Sequence, residues 1–178
     1  MTHEPPGWPA GRLVSSVYSA RMDALRIAAL LAATLTTAMM AGFFHAYSFS
    51  VMPALRGADA AVLVEVMQRI NRAILNGWFF LVFVGAGLSG AVAVALVAIG
   101  GEAGVLVPAA IGLVLYLAQL VVTARINVPL NNGLDAAGQT DPVAARETFE
   151  IPWVRWNHVR TACCASAAAA WCWALLAV

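Results

Sequence analysis

Four apolar stretches, each long enough to cross a bilayer, leave this chain very few ways to fold. A helix needs ~20 consecutive apolar residues to traverse a hydrocarbon core. Residues 27–49, 77–99, 105–126 and 153–177 each supply that length, with polar groups few and, in the last, gathered at its start. Composition agrees. The 178 residues are 62% hydrophobic and 11% charged, with a mean hydropathy of +0.81, against roughly 45–50% apolar and 25% charged in soluble domains. The expected architecture is an all-α, four-helix transmembrane bundle spanning residues 25–178, an integral protein of a bacterial-type inner or plasma membrane.

The segments between the spans refine this expectation. Residues 1–24 are polar, contain Pro and Gly and show no periodicity, which predicts a disordered leader. The apolar run that follows is too long for the ~7–15-residue core of a signal peptide. Over residues 58–75, Val62, Leu63, Val66, Met67, Ile70, Ala73 and Ile74 repeat at helical spacing. Glu65, Arg69 and Arg72 share the other face. That pattern predicts an amphipathic helix between spans 1 and 2, too polar to span, lying on the membrane or capping the bundle. Asp141-Pro142 supplies an N-cap and a first-turn proline for a short helix ending near Glu150, before span 4. Pro53, and Pro129 with Asn132-Gly133, are expected to end helices.

Two motifs exclude chemistry. Gly85-Ala86-Gly87-Leu88-Ser89-Gly90 spells the dinucleotide fingerprint, but that fingerprint needs a preceding strand and a βαβ unit. Inside an apolar helix, small residues at this density mean close helix packing. Cys163, Cys164 and Cys172 show no ligand spacing, so no metal site is expected from them. A net charge of +1, with all ten basic residues Arg, argues against a nucleic-acid partner. Seven of those Arg fall on the side of the two long loops (50–76 and 127–152), which the positive-inside rule places toward the cytoplasm.

Most of the polar chemistry gathers at one place. Trp153-Val154-Arg155-Trp156-Asn157-His158-Val159-Arg160 opens the fourth span, and no charge follows it. Helical spacing puts Trp153, Trp156, Asn157 and Arg160 on one side. Alternating spans bring the ends of helices 1 and 3 and the starts of helices 2 and 4 to the same face. His45 and His158 then lie at matching depth, ~6–8 Å below the interface at 1.5 Å per residue. Asn76, Arg125, Asn127, Asn131 and Trp156 ring the same level, which predicts a polar, aromatic-lined pocket. Taken singly, each has a plainer reading. The Trp residues suit an interfacial belt, His45 a helix-bridging hydrogen bond and Arg160 a snorkelling cation.

Four ordered motifs carry a resemblance: Tyr47-Ser48-Phe49-Ser50-Val51-Met52-Pro53-Ala54-Leu55, Met67-Gln68-Arg69-Ile70-Asn71, Asn127-Val128-Pro129-Leu130-Asn131 and Trp156-Asn157-His158-Val159-Arg160-Thr161. Over residues 25–177 the chain resembles the anthrone oxygenase-like family of small four-helix membrane proteins. The resemblance implies oxidation of a flat aromatic anthrone to a quinone by O₂, without a cofactor. The implied partners are that substrate, O₂ and the bilayer, and the chain is compatible with a homo-oligomer. On this reading His158 is the base, Asn157, Asn131 and Arg160 stabilise the oxyanion, and Trp153 and Trp156 stack the ring. Asn127, His45, Tyr47 and Asn76 complete the lining, His45 on depth alone. Two other functions stay open. One is a non-catalytic accessory protein, which predicts a closed pocket with its polar groups internally paired. The other is a haem or quinone redox protein ligated by His45 and His158.

Overall fold

The computed structural model describes residues 10–100, 102–137 and 140–178. Seven α-helices follow in order: α1 Ala10–Ala46, α2 Met52–Arg56, α3 Ala60–Ala73, α4 Gly77–Gly100, α5 Ala103–Val122, α6 Val128–Ala137 and α7 Pro142–Leu176. Single π-helical turns, Tyr47–Val51 and Thr123–Asn127, join α1 to α2 and α5 to α6. Four of the resulting rods, including Arg12–Arg56 and Ala103–Ala137, are long and apolar enough to cross a membrane. The all-helical bundle expected from the sequence is what the chain forms.

Each rod packs along two neighbours, α1 against α4 and α7, and α5 against α4 and α7. Trp171 of α7 reaches α4 and α5 in the middle of the bundle. The fully buried Trp171 lies against the space where a side chain at Gly90 or Gly112 would stand. A Cβ on Gly112 would fall 2.8 Å from the indole. Gly90, the last residue of the false dinucleotide motif, is therefore a packing residue.

Three local expectations are corrected. Over residues 10–24 the leader is helix, continuous with the first span. Helix propagates from an existing end far more cheaply than it nucleates. The hydroxyls of Ser15, Ser16 and Ser19 bond back to carbonyls three residues earlier rather than breaking the run. The remainder of the expected leader, residues 1–9, lies outside the described residues. Pro53 and Pro129 do not end their helices. A proline removes one backbone donor and crowds the carbonyl four residues back. In both rods the ring follows a widened turn, closed by Met52 N–H to the Tyr47 carbonyl and by Val128 N–H to the Thr123 carbonyl. Pro152 likewise sits inside α7, so the helix expected over 142–150 is the opening of the fourth rod. Its start is as expected, with Asp141 Oδ1 accepting from Ala144 N–H at 3.0 Å.

The amphipathic helix forms as α3, but its buried face is turned. Leu63, Val64, Met67, Gln68 and Asn71 are inside, while Val62 is exposed. Gln68 Nε2 donates to the Leu134 carbonyl at 2.8 Å, which ties α3 to α6. The hydrophobic cluster formed with Phe149 and Trp153 fixes α3 as a cap over the long-loop end of the bundle.

Candidate functional site

Trp153, Asn157 and Arg160 project from one face of α7 into the bundle and are all buried. Trp153 is oriented by a bond from its indole N–H to Asn131 Oδ1 at 2.8 Å. Asn157 is held from two sides. Its Nδ2 donates to the Phe44 carbonyl and to Ser48 Oγ, both at 2.9 Å, and its Oδ1 accepts from Arg160 Nη2 at 2.9 Å. That Phe44 carbonyl belongs to α1, three residues before the π turn begins at Tyr47.

Trp153, Asn131 and Arg160 border a cavity of about 230 Å³ under α3. Its apolar wall is aromatic: Phe43, Phe44, Tyr47, Phe79, Phe80 and Phe83, with Trp153 opposite. Edge-to-face contacts of Phe43 with Phe44 and Tyr47 lock part of that wall. Its polar edge comprises Asn71, Thr123, Asn127, Asn131, Asn132, Asp135 and Arg160. The size falls below the ~300–1,000 Å³ of common ligand pockets, which suits one compact ring system.

Arg160 is the unusual member. It is only 6% exposed, yet no carboxylate pairs with it among the described residues. A buried guanidinium ordinarily needs an anion, because several kcal/mol of lost hydration must be offset. Here the offset is partial: one hydrogen bond to Asn157, and ring faces of Phe44 and Trp153 at 4.4 and 5.3 Å. Arg160 Nε has no protein partner, nor do Asn71 Nδ2 and Asn127 Oδ1. Three unsatisfied polar atoms, two donors and one acceptor, thus belong to residues bordering one cavity. Buried polar groups are bonded as a rule; Thr37 Oγ1, Gln119 Nε2 and Trp171 Nε1, away from this cavity, also lack a protein partner.

The other expected residues are placed elsewhere. His158 is exposed on the outer face of α7, in a separate groove with Arg56 and Arg155, and does not border the cavity. His158 follows Asn157, and consecutive residues on a helix point about 100° apart, which carries the imidazole away from the face that Asn157 shares with Arg160. His45 is exposed too, its ring 4.4 Å from that of Phe49 on its own rod. Neither histidine borders the cavity that Arg160 lines. Asn76 caps α4, accepting from Phe79 N–H at 3.0 Å and donating to the Ala73 carbonyl at 2.8 Å. Trp156 is half-buried and Arg125 exposed, and neither borders the cavity. Asn127, Asn131, Tyr47, Trp153 and Arg160 do border it, and Asn157 holds Arg160 in place.

Sequence reasoning missed Asn71, Asp135 and the phenylalanine wall. Asn71 closes the Met67–Asn71 motif, so a signal was present. The phenylalanines lay in unbroken apolar runs, where nothing distinguishes a lining residue from a packing one.

A family model described as anthrone oxygenase matches residues 77–170, just over half of the chain. The chain belongs to the anthrone oxygenase family. No curated protein and no solved structure matches it. The matched segment holds the half of the site drawn from α6 and α7, including Asn131, Trp153, Asn157 and Arg160. The facing half, with Phe43, Phe44, Tyr47 and Asn71, comes from residues before the match begins.

Proposed function

We propose that this family member is a membrane oxygenase that converts a flat, anthrone-like aromatic to its quinone with O₂ and no cofactor. The observation that carries this reading is Arg160, a cation buried at an aromatic cavity with no protein anion beside it among the described residues. An accessory protein would need no such arrangement, and its polar groups would be paired internally.

The chemistry runs through an anion. Loss of a proton from the substrate's methylene gives an enolate whose oxygen carries the charge. Arg160 stabilises that oxygen in a water-poor site, where a fixed cation acts more strongly than in water. Asn71 Nδ2 offers a further donor, and Asn127 Oδ1 accepts from a ring-edge hydroxyl. Asp135, the one carboxylate bordering the cavity among the described residues, takes the methylene proton; its partner is Arg72, 3.8 Å away. The enolate passes one electron to O₂, and the resulting carbon radical combines with superoxide to form a carbon–oxygen bond. Protonation gives a hydroperoxide. Loss of its remaining C–H proton and cleavage of the O–O bond release water and leave the new carbonyl. One O₂ is consumed, and one quinone and one water are formed.

The test is oxygen uptake by the purified full chain given anthrone, with quinone followed by absorbance and protein-free autoxidation subtracted. Uptake and quinone should rise one-to-one above background in the presence of chelator. Quinone formation no faster than in protein-free solution, across a range of hydroxylated anthrones, would overturn the proposal.

A further inference from the structure

On the outside of α7, about half a turn from the Arg160 face, lies a second and larger depression of about 570 Å³. Its floor is apolar, with Ile151 77% exposed and Val154 beside it. Arg56, from the end of the first rod, and Arg155 stand at its rim. The groove also contains Arg146 and Glu150, but these neutralise each other. Arg146 Nε bonds Glu150 Oε2 at 2.6 Å, and its two Nη groups donate to the carbonyls of Ala58 and Arg56 at 2.7 and 2.8 Å. That triple contact fixes the α2–α3 corner against α7 and builds the groove wall. It also occupies Glu150, the only carboxylate lining the groove among the described residues. Arg56 and Arg155 are left as exposed cations with no acidic partner among the described residues.

We propose that this groove binds an anionic phospholipid, its phosphodiester between Arg56 and Arg155 and its acyl chain over Ile151 and Val154. Three features converge on that occupant. The cations stand where the first and fourth rods reach the long-loop end of the bundle, the level of lipid headgroups. Arginine near a membrane surface favours anionic lipid. The strip between them is apolar and outward-facing, which suits a hydrocarbon chain and is of no use to a free anion in water.

The experiment uses the full chain in detergent, with lipid retention read by native mass spectrometry. Phosphatidylglycerol is titrated against phosphatidylcholine of identical chains, with and without millimolar inorganic phosphate. Phosphatidylglycerol should be retained about tenfold or more over phosphatidylcholine. R56Q/R155Q should abolish the preference, R56K/R155K should keep most of it, and R12Q/R21Q, changed near the N-terminus, should leave it intact. Should the double glutamine variant fail to fold, R56Q and R155Q singly should each weaken the preference severalfold. Equal retention of the two lipids, or a preference untouched by the glutamine variants, would overturn the proposal. Displacement of the lipid by inorganic phosphate would also overturn it, since the groove would then be a free-anion site.

Discussion

The guanidinium carbon of Arg160 stands 4.4 Å from the centre of the Phe44 ring, while the carbonyl of the same Phe44 accepts a hydrogen bond from Asn157, which in turn accepts from Arg160. One residue of α1 thus holds a charge on α7 through its ring and through its backbone. Replacing that charge tests the site most directly. R160Q is shorter but keeps an N–H donor and removes the cation, and should lower quinone formation about 10²–10³-fold, as loss of an oxyanion donor does. R160K should retain part of the activity. Steady-state oxygen uptake at matched protein is the measurement, and wild-type rates in R160Q would remove Arg160 from the chemistry.

Asn157 supports Arg160 and should show its effect first in stability. Truncation to alanine removes bonds to the Phe44 carbonyl and Ser48 Oγ and strips Arg160 of its one hydrogen-bonded partner. Breaking buried bonds of this kind, one to a charged group, costs about 1.5–3 kcal/mol. N157A should therefore melt several degrees below wild type in detergent. N157S, keeping a smaller polar group, should fall between them. An unshifted melting temperature would mean that the network carries no stability.

The fold was legible in the sequence because its determinants are long and one-dimensional. Span length, the Asp141-Pro142 start and the periodic face of α3 are each set by neighbours along the chain. The site was half legible. Trp153, Asn157 and Arg160 share a face by helical arithmetic alone, and Asn127 and Asn131 follow from the crossing of α5–α6 with α7. What failed was azimuth. His158 and His45 were placed by depth, and depth does not say whether a side chain faces the bundle or the lipid. The prolines misled for a related reason. A π turn that absorbs Pro53 or Pro129 leaves no mark in composition.

Gly112 tests the packing on which the membrane half of the bundle depends. A methyl group there would meet the body of the fully buried Trp171 indole at 2.8–2.9 Å, so the ring would have to shift. Overpacking of this sort costs about 1–3 kcal/mol. G112A should lower the melting temperature, whereas G85A, with nothing within 4 Å of the added carbon, should be neutral or slightly stabilising. Equal effects from the two substitutions would show that Trp171 repacks freely.

Asp135 and His158 offer opposite expectations for the proton acceptor. A base must come within hydrogen-bond reach of the proton it removes, directly or through one water. Asp135 borders the cavity and His158 does not. D135N keeps shape and loses the basic oxygen, and should slow turnover about 10²–10⁴-fold, the range for a positioned acid or base. H158A should retain at least half of the wild-type rate. The arms separate cleanly in one assay: oxygen uptake by both variants at equal folded protein, with melting temperatures recorded alongside. A crippled H158A beside an active D135N would reverse the assignment and require α7 to turn His158 inward when substrate binds.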